Sequence, residues 1–515
     1  MGYRAAKVDG EEVRANGGQA GHRYIFIAHS SNKSGEEKLM DSLIFIEALF
    51  LAALALLTFA FAISSIWEGE KRAALIGGVT FLILLGGEIG LFALKAVGFF
   101  QSTPGFLILL VGLVFLVAAL LLLIRVGRNP RALQGTKGYV VGEVKRFDER
   151  EQVFSRGGLS PGSEQYQTFY SEHPQWEEYD DGRRKMGMFM GIPGSIDRPH
   201  EGPNVAALFA SFSIPHHLGS PHAVQPEASP YFGGKRMSLS PEEATERVKG
   251  LALHLGADLV GIAEINPLWI YSTRGHIKDD NWERWGSEIE LSHPYAITFA
   301  IEMSRDMVWT APHTASVVES GLAYSKVAFV ATELASFVAN LGYSATANHF
   351  QHYDVLLVPM AVDAGLGEVG RLGLLMTKEF GPRVRLGCVT TDLSLIPDGP
   401  VDIGVEDFCR VCKKCAHCCP SRSIPFDGPR EVNGTFRWRL NAETCFEYWA
   451  RIGTDCCLCM RVCPWSHPGT PPHRLIAELV VRNQVARRIF SSMDDLFYGK
   501  KPKPASPPKW ATYGE

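Results

Sequence analysis

FCRVCKKCAHCCPS, Phe408 to Ser421, and TCFEYWARIGTDCCLCMRVCPWS, Thr444 to Ser466, hold ten of the eleven cysteines; the other, Cys388, lies upstream. Cys409, Cys412, Cys415 and Cys419, with Pro420 after the last, spell CxxCxxCxxxCP. In that spacing three thiolates wrap one four-iron cubane and the fourth ligates a second. Cys456, Cys459 and Cys463, followed by Pro464, make a second run, with Cys445 upstream. Three cysteines at this spacing close round a cubane from one tight loop. The cysteine beyond the three-residue gap starts a new turn and points away. The expected ligand sets are therefore crossed: Cys409, Cys412, Cys415 and Cys463 for one [4Fe–4S] cluster, and Cys419, Cys445, Cys456 and Cys459 for the other. Cys418 and Cys457 are out of phase and read as spectators, and Cys388 as a small buried residue. A zinc site or a disulfide framework is the competing reading, disfavoured by two interlocked runs that each end in Cys-Pro. Two clusters make a wire, and the rest of the chain must supply what the wire feeds.

At 515 residues the chain is too long for one compact core. A net charge of −4 and the lack of a dominant basic block speak against a nucleic-acid partner. Residues 1–42 read as a polar, partly disordered tail, with Asn16, Gly17 and Gly18 as a small-residue patch. Three apolar runs follow, Leu43–Ile66, Ala73–Val97 and Gly105–Ile124, each long enough to cross a bilayer. The third has no polar stripe, as a surface helix would. Residues 43–125 are thus expected to form three transmembrane helices. Ala60-Phe61-Ala62 resembles a signal-cleavage site, but the long polar stretch before it argues against one. The paired Arg183 and Arg184 lie too far inside the chain for a twin-arginine leader. Lys71, Arg72, Arg125, Arg128, Arg131 and Lys137 outweigh Arg23, Lys33 and Lys38 on the other side. The expectation is a multi-pass protein of the inner (cytoplasmic) membrane with the large domain in the cytoplasm. Glu88 and Lys95, seven apart on one helix face, are expected to pair inside the bundle, with a partner site as the alternative.

Residues 126–240 are rich in Gly, Pro and aromatics, and their His216, His217 and His222 read as solvated loop histidines rather than metal ligands. From Ser240 the pattern changes. Ser240 caps a helix with Pro241 at its first position, and GLAYSKVAFVATELASFVANLGY is an amphipathic helix closing at Gly342. Strands DLVGIAEI and EIELSHPYAITFAIEM alternate with these helices, which argues a layered α/β domain over 241–400. Residues 401–470 form the cysteine-rich domain and 471–515 a C-terminal tail.

VPMAVDAGLGEVGRLGLLMTKEFGPRVRLGCVTTDL, EEATERVKGLALHLGADLVGIAEINPLWIYS, HPYAITFAIEM and EVKRFDEREQVFSRG resemble the corrinoid-dependent reductive dehalogenases, over about residues 138–470. The resemblance implies an α/β (α+β) nitroreductase-like domain binding cobalamin with no protein ligand on cobalt, and a ferredoxin-like 2[4Fe–4S] domain. His349 and His352 then read as structural or pocket-lining. The implied reaction replaces halogen by hydrogen on an organohalide, with electrons from a ferredoxin-like protein or a membrane partner. By match to the family, Tyr324 is the acid, Arg383 the cation that stabilises the tyrosinate left behind, with Arg385 as fallback, and Asn348 orients substrate. Gly365, Gly367, Gly370 and Gly373 are expected to admit the corrinoid, with a tight packing turn as the alternative. Respiratory members carry a twin-arginine leader and a separate membrane anchor; here the anchor reads as fused. An epoxyqueuosine-reductase-like enzyme is one rival, but that enzyme is soluble and its donor is expected to be aspartate. A membrane iron–sulfur electron-transfer subunit is the other, and the span from Arg125 to Cys409 leaves it too much chain.

Overall fold

A computed structural model describes residues 22–186, 201–218, 235–276 and 284–512. The patch at Asn16, Gly17 and Gly18, and His222, lie outside the described residues. Two compact units result: Met1–Ile63 with Ala74–Leu121, and Ser64–Ala73 with Leu122–Glu515.

The first unit is helical: α1 (His22–Trp67), α2 (Lys71–Ala96) and α3 (Thr103–Leu121). Left-handed Gly69 and Gly98 follow the ends of α1 and α2. Helix α1 begins well before the apolar run, so much of the expected tail is helical; Glu37, Lys38, Leu39 and Met40 are good helix formers. This extension corrects the expected Glu88–Lys95 pair, since Lys95 bonds Asp41 of α1 at 3.0 Å. A Cβ on Gly77 would lie 3.1 Å from Phe61, so the glycine lets α2 approach α1 closely. Glu37–Trp67, α2, α3 and a fourth helix, Thr314–Asn340, are long and apolar enough to cross a membrane.

The second unit contains α4 (Val153–Gly158), α5 (Glu164–Glu172), α6 (Pro174–Lys185), α7 (Glu201–Ser211), α8 (Ser213–His217) and α9 (Pro241–His254). Next come β1 (Leu259–Glu264), β2 (Tyr295–Glu302), α10 (Arg305–Trp309), α11 (Thr314–Asn340), β3 (Ala345–Asn348) and α12 (Leu357–Asp363). Then follow β4 (Glu368–Val369), β5 (Leu375–Met376) and β6 (Val384–Thr391). The cysteine-rich part has α13 (Val405–Cys412), α14 (Lys414–Cys418), β7 (Arg430–Val432), β8 (Thr435–Arg437), α15 (Ala442–Ile452) and α16 (Leu458–Arg461).

Strands order β1-β2-β6-β3 and every pairing is antiparallel, with Ile262 opposite Ile297 and Ile297 opposite Val389. The strand–helix alternation in the sequence therefore builds an α+β sheet rather than a parallel one. Both faces are covered. Ile297, Phe299 and Ile301 meet α9 and α11 through Val248, Val327, Val330 and Leu334, while Ala296 and Cys388 face Trp269, Tyr271 and Met360. Helix α11 is thus a core helix, and its apolarity answers to the sheet. Ser240 caps α9 as expected, its Oγ accepting the Glu243 N–H at 3.2 Å, and Gly342 follows α11 at φ 88°.

Residues 471–515 are not a tail but carry two helices, α17 (Pro471–Arg482) and α18 (Gln484–Tyr498). Ile476, Val480 and Phe490 join the core around Phe408 and the cysteines, and Asn483 Oδ1 caps α18 by accepting from Val485 at 2.8 Å. A helical apolar period in PPHRLIAELVVRNQVARRIF was the signal for them. The segment Ser64–Ala73, the end of α1, the turn and the start of α2, is also part of this unit. Glu70 Oε1 accepts from Trp309 Nε1 at 2.9 Å and pairs with Arg305 at 3.3 Å, and Glu68 Oε1 lies 3.7 Å from His473 Nδ1.

Candidate functional site

The cysteine loop is shaped by backbone that few residues adopt. Lys413 (φ 53°) breaks α13 from α14, and Cys456 and Cys457 (φ 61° and 47°) make the left-handed turn into α16. Arg371 holds this loop: its Nε and Nη2 donate to the Cys409 carbonyl at 3.0 and 2.9 Å, and Nη1 to the Pro425 and Asp427 carbonyls at 2.7 Å. Glu368 Oε1 accepts the N–H groups of Ile403 and Val405 at the start of α13.

The thiols fall into two neighbourhoods. Burial pushes Cys463 well above the ordinary thiol range, and Cys409, Cys412 and Cys415 add to the rise. Burial pushes Cys459 up to about 12, with Cys445 and Cys419 as its charged neighbours, and Cys456 rises with Cys459 and Cys445 beside it. Cys415 and Cys459 also sense each other, so the neighbourhoods adjoin. Cys418 Sγ donates to the Lys500 carbonyl at 3.3 Å, Cys457 is buried beside Asp455 and Arg385, and Cys388 is fully buried in β6. All eleven cysteines are free of disulfides. Among the described residues no three His, Cys, Asp or Glu side chains are set to hold a single metal ion. Without a cation, buried thiols stay protonated; bound iron would hold them as thiolates.

Tyr324 on α11 packs in an aromatic pocket, its ring 4.6 Å from Phe350 and 6.1 Å from Phe212. Gly321 makes room for α7, since a Cβ there would lie 2.1 Å from Ser211 Oγ. Among the described residues the Tyr324 hydroxyl takes no hydrogen bond. Arg385, not Arg383, is its cation: the Arg385 Cζ lies 5.0 Å from the ring centroid. Arg385 Nη2 also donates to Ser320 Oγ at 2.9 Å and pairs with Asp455 at 3.7 Å. Burial alone would lower the Arg385 pKa, but Tyr324, Cys457 and Asp455 outweigh it and raise it. Arg383 sits at the entry to β6 with its donors spent on Glu302 at 2.7 Å, the Met303 carbonyl at 2.6 Å and the Ser466 carbonyl at 2.9 Å. Asn348 is buried and engaged at both ends of its amide, donating to the Thr346 carbonyl at 3.0 Å and accepting from Asp354 N at 2.8 Å. It braces the turn that carries Phe350.

His349 and His352 are buried on that turn, paired through their backbones at 2.8 Å. His216 and His217 lie exposed at the end of α8. Gly365, Gly367 and Gly370 have packing reasons inside the protein, and Gly373 has a left-handed φ of 78°. A Cβ on Gly365 would meet the Gly399 carbonyl at 2.4 Å, on Gly367 the Met376 carbonyl at 2.0 Å, on Gly370 the Met376 side chain at 2.7 Å, and on Gly373 Leu440 at 3.5 Å. Sequence reasoning missed Arg371, Ser320 and Asp455; a charged residue inside an apolar run, as in VGRLG, was the available signal for Arg371.

No family model matches the chain. A tetrachloroethene reductive dehalogenase of Dehalobacter restrictus is 35% identical over 298 residues, covering 48% of this chain and 53% of the relative. An epoxyqueuosine reductase of Lactococcus garvieae is 32% identical over a shorter 173 residues, 28% of this chain and 45% of the relative. The chain spans about half the length of the dehalogenase relatives it matches. A solved reductive dehalogenase described for B12-dependent dehalogenation superposes with a TM-score of 0.55 at 28% identity, covering 73% of this chain and 49% of its own. Likeness of sequence and likeness of fold thus converge on the reductive dehalogenases as what this chain is similar to.

Proposed function

We propose that the chain is a membrane-anchored reductive dehalogenase that replaces halogen by hydrogen on an organohalide. The observation that carries this reading is the Tyr324–Arg385 pair, linked through Ser320 and Asp455 to the cysteine loop at Cys457. A proton donor at the end of a wire is what reductive halide replacement needs. The two cysteine neighbourhoods are the proposed ligand sets of two [4Fe–4S] clusters, in a ferredoxin-like part joined to a nitroreductase-like core. A cobalamin, bound with no protein ligand on cobalt, would supply the two-electron reductant at the halogenated carbon.

In this scheme the aromatic wall of Phe212 and Phe350 excludes water and Tyr324 gives up its hydroxyl proton. Arg385 stabilises the tyrosinate that remains. Asn348 acts through the turn it braces, so it is a positioning residue rather than a substrate contact. Halide leaves as carbon gains hydrogen, for two electrons and one proton. The electron donor is a ferredoxin-like or membrane partner. The test is anaerobic reconstitution with iron, sulfide and cobalamin, then reduced viologen and a panel of aryl and alkenyl halides. Halide release at one per two electrons is expected. A protein that retains no corrinoid and releases no halide refutes the reading.

A further inference from the structure

Helix α18 has its polarity reversed. Its inner face adds Ala486 and Phe490 to the core but also buries Arg487, Ser491 and Asp494. Those charges are spent inside. Arg487 donates to the Val480, Gly127 and Val481 carbonyls at 2.9, 3.0 and 3.0 Å, while Asp494 accepts from Lys414 and lies 2.6 Å from His467 Nε2. The outer face carries Val485, Ile489, Met493 and Leu496, whose spacing of four, four and three sets them in one row. All four are exposed, the first by 53% and the last by 54%. A helix that faces water shows the opposite distribution, polar outside and apolar inside. A continuous apolar row of this kind marks a contact surface, unlike apolar residues scattered singly.

Both ends of α18 are fixed to points where the chain leaves for the apolar helices, and each of these contacts lies within the larger unit. At the N-terminal end, Asn483 caps α18 with Oδ1 and donates from Nδ2 to the Ile124 carbonyl at 3.0 Å. Ile124 closes the third apolar run and stands three residues past the end of α3 at Leu121. Val126 N donates to the Arg482 carbonyl at 2.9 Å, and Gln484 N to the Val126 carbonyl at 3.1 Å. Ile124 and Val126 are exposed and carry the apolar row on toward the spans. At the C-terminal end, a Cβ on Gly499 would lie 3.2 Å from Arg72 Nη1, and Arg72 is the second residue of α2. From Arg482 to Lys503 every exposed charged residue is basic: Arg482, Arg488, Lys500, Lys501 and Lys503.

We propose that α18 is an interfacial helix, its apolar row seated in the headgroup region of the bilayer and its basic flanks taking anionic phospholipid headgroups. The inference rests on the reading of α1, α2 and α3 as membrane spans. Three spans in succession bring the start of α2 and the end of α3 to the same membrane face. A 15-residue helix, about 22 Å long, held beside both points lies along that face. An amphipathic helix there buries its apolar side at the boundary of headgroups and acyl chains, and anionic lipid strengthens the seat. A protein occupant would have to share the row with the bilayer at Ile124.

The test introduces p-benzoylphenylalanine at one position at a time in the full chain. Ile489→p-benzoylphenylalanine probes the row, Phe115→p-benzoylphenylalanine the exposed side of α3, and Glu246→p-benzoylphenylalanine an exposed position on α9. Each variant is irradiated in nanodiscs of phosphatidylcholine, with and without phosphatidylglycerol, and in the membranes of the expression host. Adducts are identified by mass. Lipid adducts are expected at Ile489 and Phe115 and none at Glu246. The Ile489 yield should be about fivefold higher or more with phosphatidylglycerol, and should fall back when Arg488→Gln is added. A lipid adduct at Phe115 with none at Ile489 overturns the interfacial helix and leaves the spans standing. A protein adduct at Ile489 in place of lipid also overturns it and gives the row to a partner or a second copy. Equal yields with and without phosphatidylglycerol overturn the role of the basic flanks. No lipid adduct at Phe115 fails the membrane reading itself, and the seat of α18 with it. If the Ile489 variant does not fold, Leu496, farther along the same row, carries the probe.

Discussion

Arg385 and Arg383, two residues apart, do different work: Arg385 stands 5.0 Å over the Tyr324 ring, while Arg383 is locked to Glu302 at 2.7 Å and to two carbonyls. Arg383→Met should cost about 2 kcal/mol or more in stability, because buried acceptors lose a charged donor. Arg385→Met should lower turnover more than stability and shift its pH profile. Thermal unfolding and halide release, measured on both variants, separate the roles; the opposite pattern would return Arg383 to the site.

Tyr324→Phe should keep both clusters, the corrinoid and the fold, and lose turnover by about 10²–10⁴-fold. The ring still fills the pocket between Phe212 and Phe350. Cobalt reduction followed by absorbance is the control, since electron delivery does not pass through the hydroxyl. Parent rates on several substrates would make Tyr324 a packing residue.

Reconstituted protein should hold about eight iron atoms. Cys419→Ser and Cys445→Ser should each deplete the cluster that Cys456 and Cys459 share, and Cys463→Ser the other. Cys418→Ser should leave iron content unchanged, its Sγ being turned to the Lys500 carbonyl. Iron analysis with electron paramagnetic resonance of the reduced protein reads this directly. Loss of the Cys409 cluster in Cys419→Ser would dismiss the crossed assignment.

A reporter fused after Glu515 should behave as cytoplasmic, from the excess of basic residues flanking α2 and following α3. An alkaline phosphatase fusion active at that position would reverse the orientation.

What the sequence made legible was what repeats or alternates. Cysteine phase, apolar runs of membrane length, and the Ser240-Pro241 cap are local patterns, each with one physical cause. What it hid depends on chain crossings. At Gly367 the Met376 carbonyl fills the place a Cβ would take, a crossing that no local pattern shows. Arg383 and Arg385 are alike in sequence, and only the point where β6 begins, at Val384, decides which turns to the tyrosine. The C-terminal helices were masked by their charge: Arg482, Arg487 and Arg488 dilute an apolar face that packs on α13.

The segment Ser64–Ala73 changes what it means to detach the larger unit from the helical one. The chain passes between the helical unit and the larger one three times, at Ile63–Ser64, Ala73–Ala74 and Leu121–Leu122. A protease cutting between Leu121 and Arg128 would sever the polypeptide without setting the larger unit free, because Glu68 and Glu70 remain inside it. A shortened chain starting at Leu122 would likewise be missing a part of its own interior, leaving Arg305 and Trp309 without the carboxylate they share at 3.3 and 2.9 Å. Solubility would have to be sought by replacing the spans while keeping the hairpin tip.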